Sequence, residues 1–116
     1  MSNCLFCRII AGEIPAAIVY QDETVVAFKD INPQAPLHLL LVPRKHVATL
    51  NDLLAEDDEL VGSLLRRAAA LAKEHGYHER GYRTVFNTNG EAGQTVFHIH
   101  LHVLGGKPLG WPPFPR

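Results

Sequence analysis

Residues 98–103 read His-Ile-His-Leu-His-Val, a strict alternation of polar and apolar side chains. Period two belongs to a strand, whose successive side chains point to opposite faces. This segment predicts His98, His100 and His102 on one face and Ile99, Leu101 and Val103 on the other. Neighbouring imidazoles would sit about 6.5–7 Å apart along the strand. The apolar face demands a core, so the fold must be built on a sheet. The polar face carries a row of groups that act near neutral pH as nucleophiles, proton carriers or metal ligands. One histidine in a half-buried strand means little, whereas three in register backed by apolar residues point to a chemical site.

The chain has 116 residues, enough for one domain with a real core. Its net charge of −1 gives no footprint for a nucleic acid or an anionic membrane. No apolar run approaches about 18 residues and no secretory signal opens the chain, so the expected location is cytoplasmic. The two cysteines, Cys4 and Cys7, are too close in sequence for a bridge to stabilise much. Their C-x₂-C spacing reads either as half of a structural zinc site or as a pair of buried thiols.

Local signals divide the chain as follows. Residues 4–11 predict a short helix closed by Gly12. Residues 18–21 and 24–29 read as a hairpin around Asp22-Glu23. Residues 37–42 are nearly all apolar, the pattern of a central strand. A helix follows, with Glu56, Asp57, Asp58 and Glu59 in its first turn, where the dipole favours anions. Leu60, Val61, Leu64, Leu65, Ala68, Leu71 and Ala72 recur along it at helical spacing, and Gly76 suits its end. His75 and His78, near that end, read as surface or capping residues. Residues 82–88 and 96–104 complete a set of five strands. Short turns between strands, one helix at the start and one in the middle, argue for an α+β fold with a mainly antiparallel sheet.

Two further segments bear on function. Residues 87–96, Asn-Thr-Asn-Gly-Glu-Ala-Gly-Gln-Thr-Val, lead straight into the histidines. Such a glycine-containing loop can aim N–H groups at a phosphate, or can be a plain hairpin turn. In the segment Asp30-Ile31-Asn32-Pro33-Gln34-Ala35-Pro36-Leu37-His38, Asp30 can accept from ribose hydroxyls or cap the turn. His38, entering an apolar strand, is either a satisfied core residue or a member of the site.

Together these segments resemble the histidine-triad (HIT) superfamily, and within it the Hint branch of nucleotide-binding proteins. The similarity runs through residues 30–36, Val42-Pro43-Arg44-Lys45-His46, Gly93-Gln94-Thr95-Val96-Phe97-His98, the triad, Gly105-Gly106 and Trp111-Pro112-Pro113. It implies a single HIT domain over residues 1–116, with a five-stranded sheet joined to that of a partner in a homodimer. It implies a purine nucleoside phosphoramidase in which His100 attacks the α-phosphorus. His102 and His38 would support that step. Thr95 and Asn87 would meet the phosphate and leaving group, and Gly93 and Gln94 would form the phosphate loop. Asp30 would take the ribose and Ile31 the base or sugar, while Trp111 would approach across the dimer. Many bacterial members carry zinc, which here implies Cys4, Cys7, His46 and His98 as ligands. No organic cofactor is implied. Thr95 and Lys29 depart from the serine and histidine common at those positions in Hint proteins.

The residue types fit this chemistry without the family. A neutral imidazole is a good nucleophile toward phosphorus, and a carbonyl bound to its other nitrogen fixes the tautomer. Flanking N–H groups can offset charge on the equatorial oxygens. Three alternatives stand beside it. One is a dinucleoside polyphosphate hydrolase of the Fhit type, which shares the Gly-Gln-Thr-Val run. Another is a zinc-dependent hydrolase with the metal on the His-x-His pair and His38. The last is a nucleotide-binding adaptor with little turnover.

Overall fold

The structure, a computed structural model, describes residues 3–114. Helix α1 (Leu5–Ile10) is capped by Cys4, whose sulfur accepts from the Cys7 N–H at 3.4 Å. Strands β1 (Ile18–Gln21) and β2 (Val25–Lys29) form the expected hairpin. Asp22 makes its turn, accepting from the N–H groups of Thr24 and Val25 at 2.7 and 2.8 Å. Then come β3 (Leu37–Pro43), α2 (Asp58–Glu74), β4 (Tyr82–Phe86) and β5 (Leu101–Gly105). The sheet is antiparallel throughout, in the order β1-β2-β3-β5-β4.

The apolar run of β3 has a simple cause: the strand is central and buried on both faces. Leu37, Leu39 and Leu41 belong to a core shared with Leu64, Ala68 and Leu71 of α2. Leu40 and Val42 point the other way, to a second core with Phe6 and Ile9 of α1 and Phe28 of β2. The alternation around the triad obeys the same division. Ile99, Leu101 and Val103 join the α2 core, while the histidines face the side that α1 covers.

Two expectations need correction. The triad does not lie within one strand, since His98 and His100 precede β5 and only His102 is in it. The last ladder pair is Leu41 with Leu101. Extending that register would set Pro43, which has no N–H, opposite Ile99. The Ile99 N–H bonds the Val47 carbonyl instead, at 2.8 Å. The acidic run is also divided. Asp58 and Glu59 occupy the first turn of α2, but Glu56 and Asp57 belong to a preceding 3₁₀ turn, Ala55–Asp57. Asp57 is buried there, accepting from Lys45 Nζ at 2.6 Å and from the Leu54 N–H at 2.9 Å.

Candidate active site

The three triad histidines take three different positions. His98 is fully buried, and its Nε2 lies 2.7 Å from the Pro43 carbonyl at the end of β3. A carbonyl only accepts, so Nε2 carries the proton and Nδ1 of neutral His98 carries a lone pair. His100 is 8% exposed, and its Nδ1 lies 2.9 Å from the carbonyl of His98. The same reasoning puts the proton of His100 on Nδ1 and the lone pair on Nε2. His102 Nδ1 lies 2.9 Å from Nε2 of His38, which is itself 3.3 Å from Asp30 Oδ2. The rings of His100 and His102 are 5.1 Å apart, closer than the spacing of a flat strand.

Phe6 of α1 packs edge-on against His98 and His100, with centroids 6.0 and 5.0 Å away. Sequence reasoning gave this residue no role, although it sits inside the C-x₂-C pair. The Pro43 carbonyl was missed for a different reason, because a backbone acceptor leaves no mark in composition.

A second group converges on His98 Nδ1. Cys4 Sγ is 3.4 Å away, Cys7 Sγ 3.5 Å and His46 Nδ1 3.2 Å, and Cys7 Sγ is 3.3 Å from His46 Nδ1. One lone pair cannot serve three hydrogen-bond partners. Tetrahedral zinc with bonds of about 2.3 Å to sulfur and 2.0–2.1 Å to nitrogen sets its ligand atoms about 3.3–3.8 Å apart. All four ligand atoms lie within 4.8 Å of one another, so they fit a metal by donor set and by spacing. The second histidine–carboxylate group, Asp30, His38 and His102, is also close enough to hold an ion. There, however, His38 Nε2 and His102 Nδ1 are engaged with each other.

The other expected contacts divide into those near the histidines and those apart from them. Asp30 caps its turn, accepting from the Asn32 N–H at 2.8 Å through one oxygen and facing His38 with the other. Ile31 beside it is fully exposed. In the expected phosphate loop, Gln94 acts from within. Its side chain is buried, donating to the carbonyls of Ala48 and Val96 at 2.8 and 3.1 Å and accepting from the Asn89 N–H at 2.8 Å. Its own N–H bonds the Asn89 carbonyl, and the Gly93 N–H bonds that of Gly90. Gln94 therefore braces the loop, and Gly93 supplies the left-handed turn at φ +88°. The N–H groups of Thr95, Val96, Phe97 and His100 have no hydrogen-bond partner among the described residues. Thr95 is exposed in a cleft with Cys4, Leu5, His46 and Phe97. Asn87 and Trp111 line a different cleft along β4, with Arg83, Phe86 and Phe114. Trp111 is 82% exposed, with no ring contact to the histidines among the described residues. His75 bonds the Leu71 carbonyl through Nδ1 at 2.8 Å, a capping contact.

Burial disfavours the charged form of three of these imidazoles, His102, His38 and His98. It pushes His102 down to about 4, with the neighbouring His100 and His38 reinforcing the shift and Asp30 opposing it. Burial lowers His38 as well, again against Asp30, and lowers His98 against its bond to Pro43.

A five-stranded sheet with one basic lone pair offered beside other oriented imidazoles defines a histidine-centred catalytic fold. The comparisons with known proteins agree. The model of the family described as "Scavenger mRNA decapping enzyme C-term binding" matches residues 3–109. The purine nucleoside phosphoramidase of Escherichia coli is 50% identical, over 91% of this chain and 89% of its own. A HIT-like protein of Synechocystis is 51% identical over 96% of both chains. The crystal structure of a HIT family hydrolase from Legionella pneumophila superposes with a TM-score of 0.95 at 55% identity, covering 97% of this chain and all of that one. The chain belongs to the histidine-triad family.

The depressed imidazoles make stability depend on pH. His38 and His102 titrate lower in the folded chain than their ordinary value of about 6.5. As pH falls, the unfolded chain therefore takes up protons first. The contribution of His102 is complete above about pH 6.5 and is lost as pH falls toward 4, by up to about 1.4 kcal/mol per pH unit, and that of His38 declines in the same direction. Urea unfolding of wild type and His102→Gln between about pH 7.5 and 4 is expected to show a shallower decline for the variant. Equal declines would contradict the assignment.

Proposed function

We propose that this protein hydrolyses purine nucleoside phosphoramidates through a nucleotidyl-histidine at His100. The observation that carries this reading is the 2.9 Å contact of His100 Nδ1 with the His98 carbonyl, which leaves Nε2 as the nucleophile. The half-identical relative named purine nucleoside phosphoramidase supports the substrate class. In the first step Nε2 bonds to the α-phosphorus and the P–N bond breaks, its electron pair and a solvent proton leaving with the amine. In the second, water adds its oxygen to phosphorus, the N–P bond breaks, and the nucleoside monophosphate departs. His102 and the N–H groups of Thr95 and His100 offset charge on the phosphoryl oxygens, and the Thr95 hydroxyl and Asn87 meet the leaving group. Gly93 and Gln94 shape the loop that presents those groups. Asp30 and Ile31 hold the nucleoside, and His38 supports His102.

The cluster of Cys4, Cys7, His46 and His98 would hold structural zinc, fastening α1 and Phe6 over the triad. The exposed edge strand β4 and the cleft that carries Trp111 support a two-fold dimer with a continuous sheet, in which Trp111 reaches the partner's site.

Three outcomes test these assignments. Wild type briefly mixed with an AMP phosphoramidate should yield a nucleotidyl adduct on His100. His100→Ala should lose about a thousandfold or more in turnover while keeping nucleoside monophosphate affinity. Near-normal turnover, or an adduct on His98 or His102, would refute the role of His100. Purified protein should carry about one zinc per chain, and changing Cys4 and Cys7 to Ser should lower Tm by several degrees while leaving much of the activity. Zinc lost with Tm unchanged would mean that the thiols are merely packed. Sedimentation at micromolar concentration should give about twice the chain mass, and a monomer there would remove Trp111 from the site.

A further inference from the structure

Gln34 lies in the turn between β2 and β3, outside every group assigned so far. Its backbone N–H donates to His38 Nδ1 at 3.0 Å. An amide N–H can only donate, so Nδ1 of His38 carries a lone pair and the proton of the neutral ring is on Nε2. That Nε2–H faces His102 Nδ1 at 2.9 Å and, less closely, Asp30 Oδ2 at 3.3 Å. His102 Nδ1 accepts it, which puts the proton of neutral His102 on Nε2. The turn that presents the Gln34 amide is itself braced. Asn32 N–H donates to Asp30 Oδ1 at 2.8 Å, and the Gln34 side chain donates to the Asn32 carbonyl at 2.9 Å.

We propose that the Gln34 amide, acting through His38, fixes His102 as an Nε2–H donor beside the lone pair of His100. Gln34 and His38 are thus positioning residues. They give two neighbouring rings, 5.1 Å apart, opposite polarity. His100 presents an acceptor that attacks, and His102 presents a donor for the oxygen on which charge builds. The burial that keeps both His38 and His102 neutral lets a single backbone amide decide the tautomers of the pair. The catalytic consequence rests on the function proposed above, whereas the tautomer assignment rests on hydrogen-bond geometry alone.

The experiment separates the two. In protein labelled with ¹⁵N-histidine, long-range ¹H–¹⁵N spectra at neutral pH should show His102 protonated at Nε2 and bare at Nδ1. His38→Phe fills the space without a donor. It should mix or reverse the His102 tautomers and lower kcat on an AMP phosphoramidate about a hundredfold, with KM and nucleoside monophosphate affinity changed by less than about threefold. His38→Gln, whose amide can donate to His102 Nδ1, should restore the tautomer and most of kcat. Asp30→Asn should leave the tautomer as in wild type.

Wild-type His102 protonated at Nδ1 overturns the proposal, and this arm needs no variant to fold. It is equally overturned if His38→Phe, folded by its Tm, keeps both the wild-type spectrum and kcat. Reversal by Asp30→Asn alone would make the carboxylate the controlling group and dismiss the Gln34 amide. The expected spectra with no phosphoramidate turnover by wild type would uphold the tautomer assignment and refute the proposed function instead.

Discussion

The contact between His98 Nε2 and the Pro43 carbonyl holds the rest of the site in place. It ties the residue that opens the triad to the end of the central strand. With that nitrogen occupied, Nδ1 turns its lone pair toward Cys4, Cys7 and His46. The carbonyl of the same residue receives the proton of His100 and so decides which His100 nitrogen is basic. One fully buried imidazole therefore links β3, the N-terminal helix and His100. Breaking the Pro43 contact would release His98 to rotate, and both the thiol–imidazole cluster and the orientation of His100 depend on that rotation.

The two faces of the sheet divide core from chemistry. The face under α2 is filled by aliphatic side chains from β3, β5 and the helix. The opposite face carries the histidines beside Phe6, which packs edge-on against His98 and His100 and meets Phe28 of the same core at 5.5 Å. Burial on this side disfavours the charged form of His98, His38 and His102. α1 has six residues, too short to be stable alone, so its place over the histidines depends on Phe6, Ile9 and the contacts of Cys4 and Cys7 with His98 and His46.

Much of this was legible in the sequence, because strong local patterns survive into the fold. The continuous apolar run of β3 and the helical periodicity of α2 appear as read, and the triad keeps its two-faced alternation although only His102 lies in β5. What escaped depends on distant partners. β5 starts late because a proline on the neighbouring strand lacks a donor, a fact visible only once the register is known. Gln94 reads as part of a phosphate loop, but its amide is consumed by Ala48, 46 residues away. Asp57 reads as a helix-dipole charge, yet it is buried in an ion pair with the half-exposed Lys45. Asp30 was legible in outline, since an Asp before a proline-containing turn caps it locally. The tautomers of the histidines were not legible, because backbone groups set them and every residue carries the same backbone groups.

The strand order has a consequence for how the chain is made. β5, the last strand in sequence, lies between β3 and β4 in space, and β4 touches no other strand. On a ribosome the β1-β2-β3 meander can pair as it emerges, since its contacts are near in sequence. β4 must wait unpaired, with the apolar edge of β3 uncovered, until residues 101–105 leave the exit tunnel and slide between them. Folding of this sheet is thus closed by its fifth strand, and the histidine that strand carries meets His38 only after β4 has emerged.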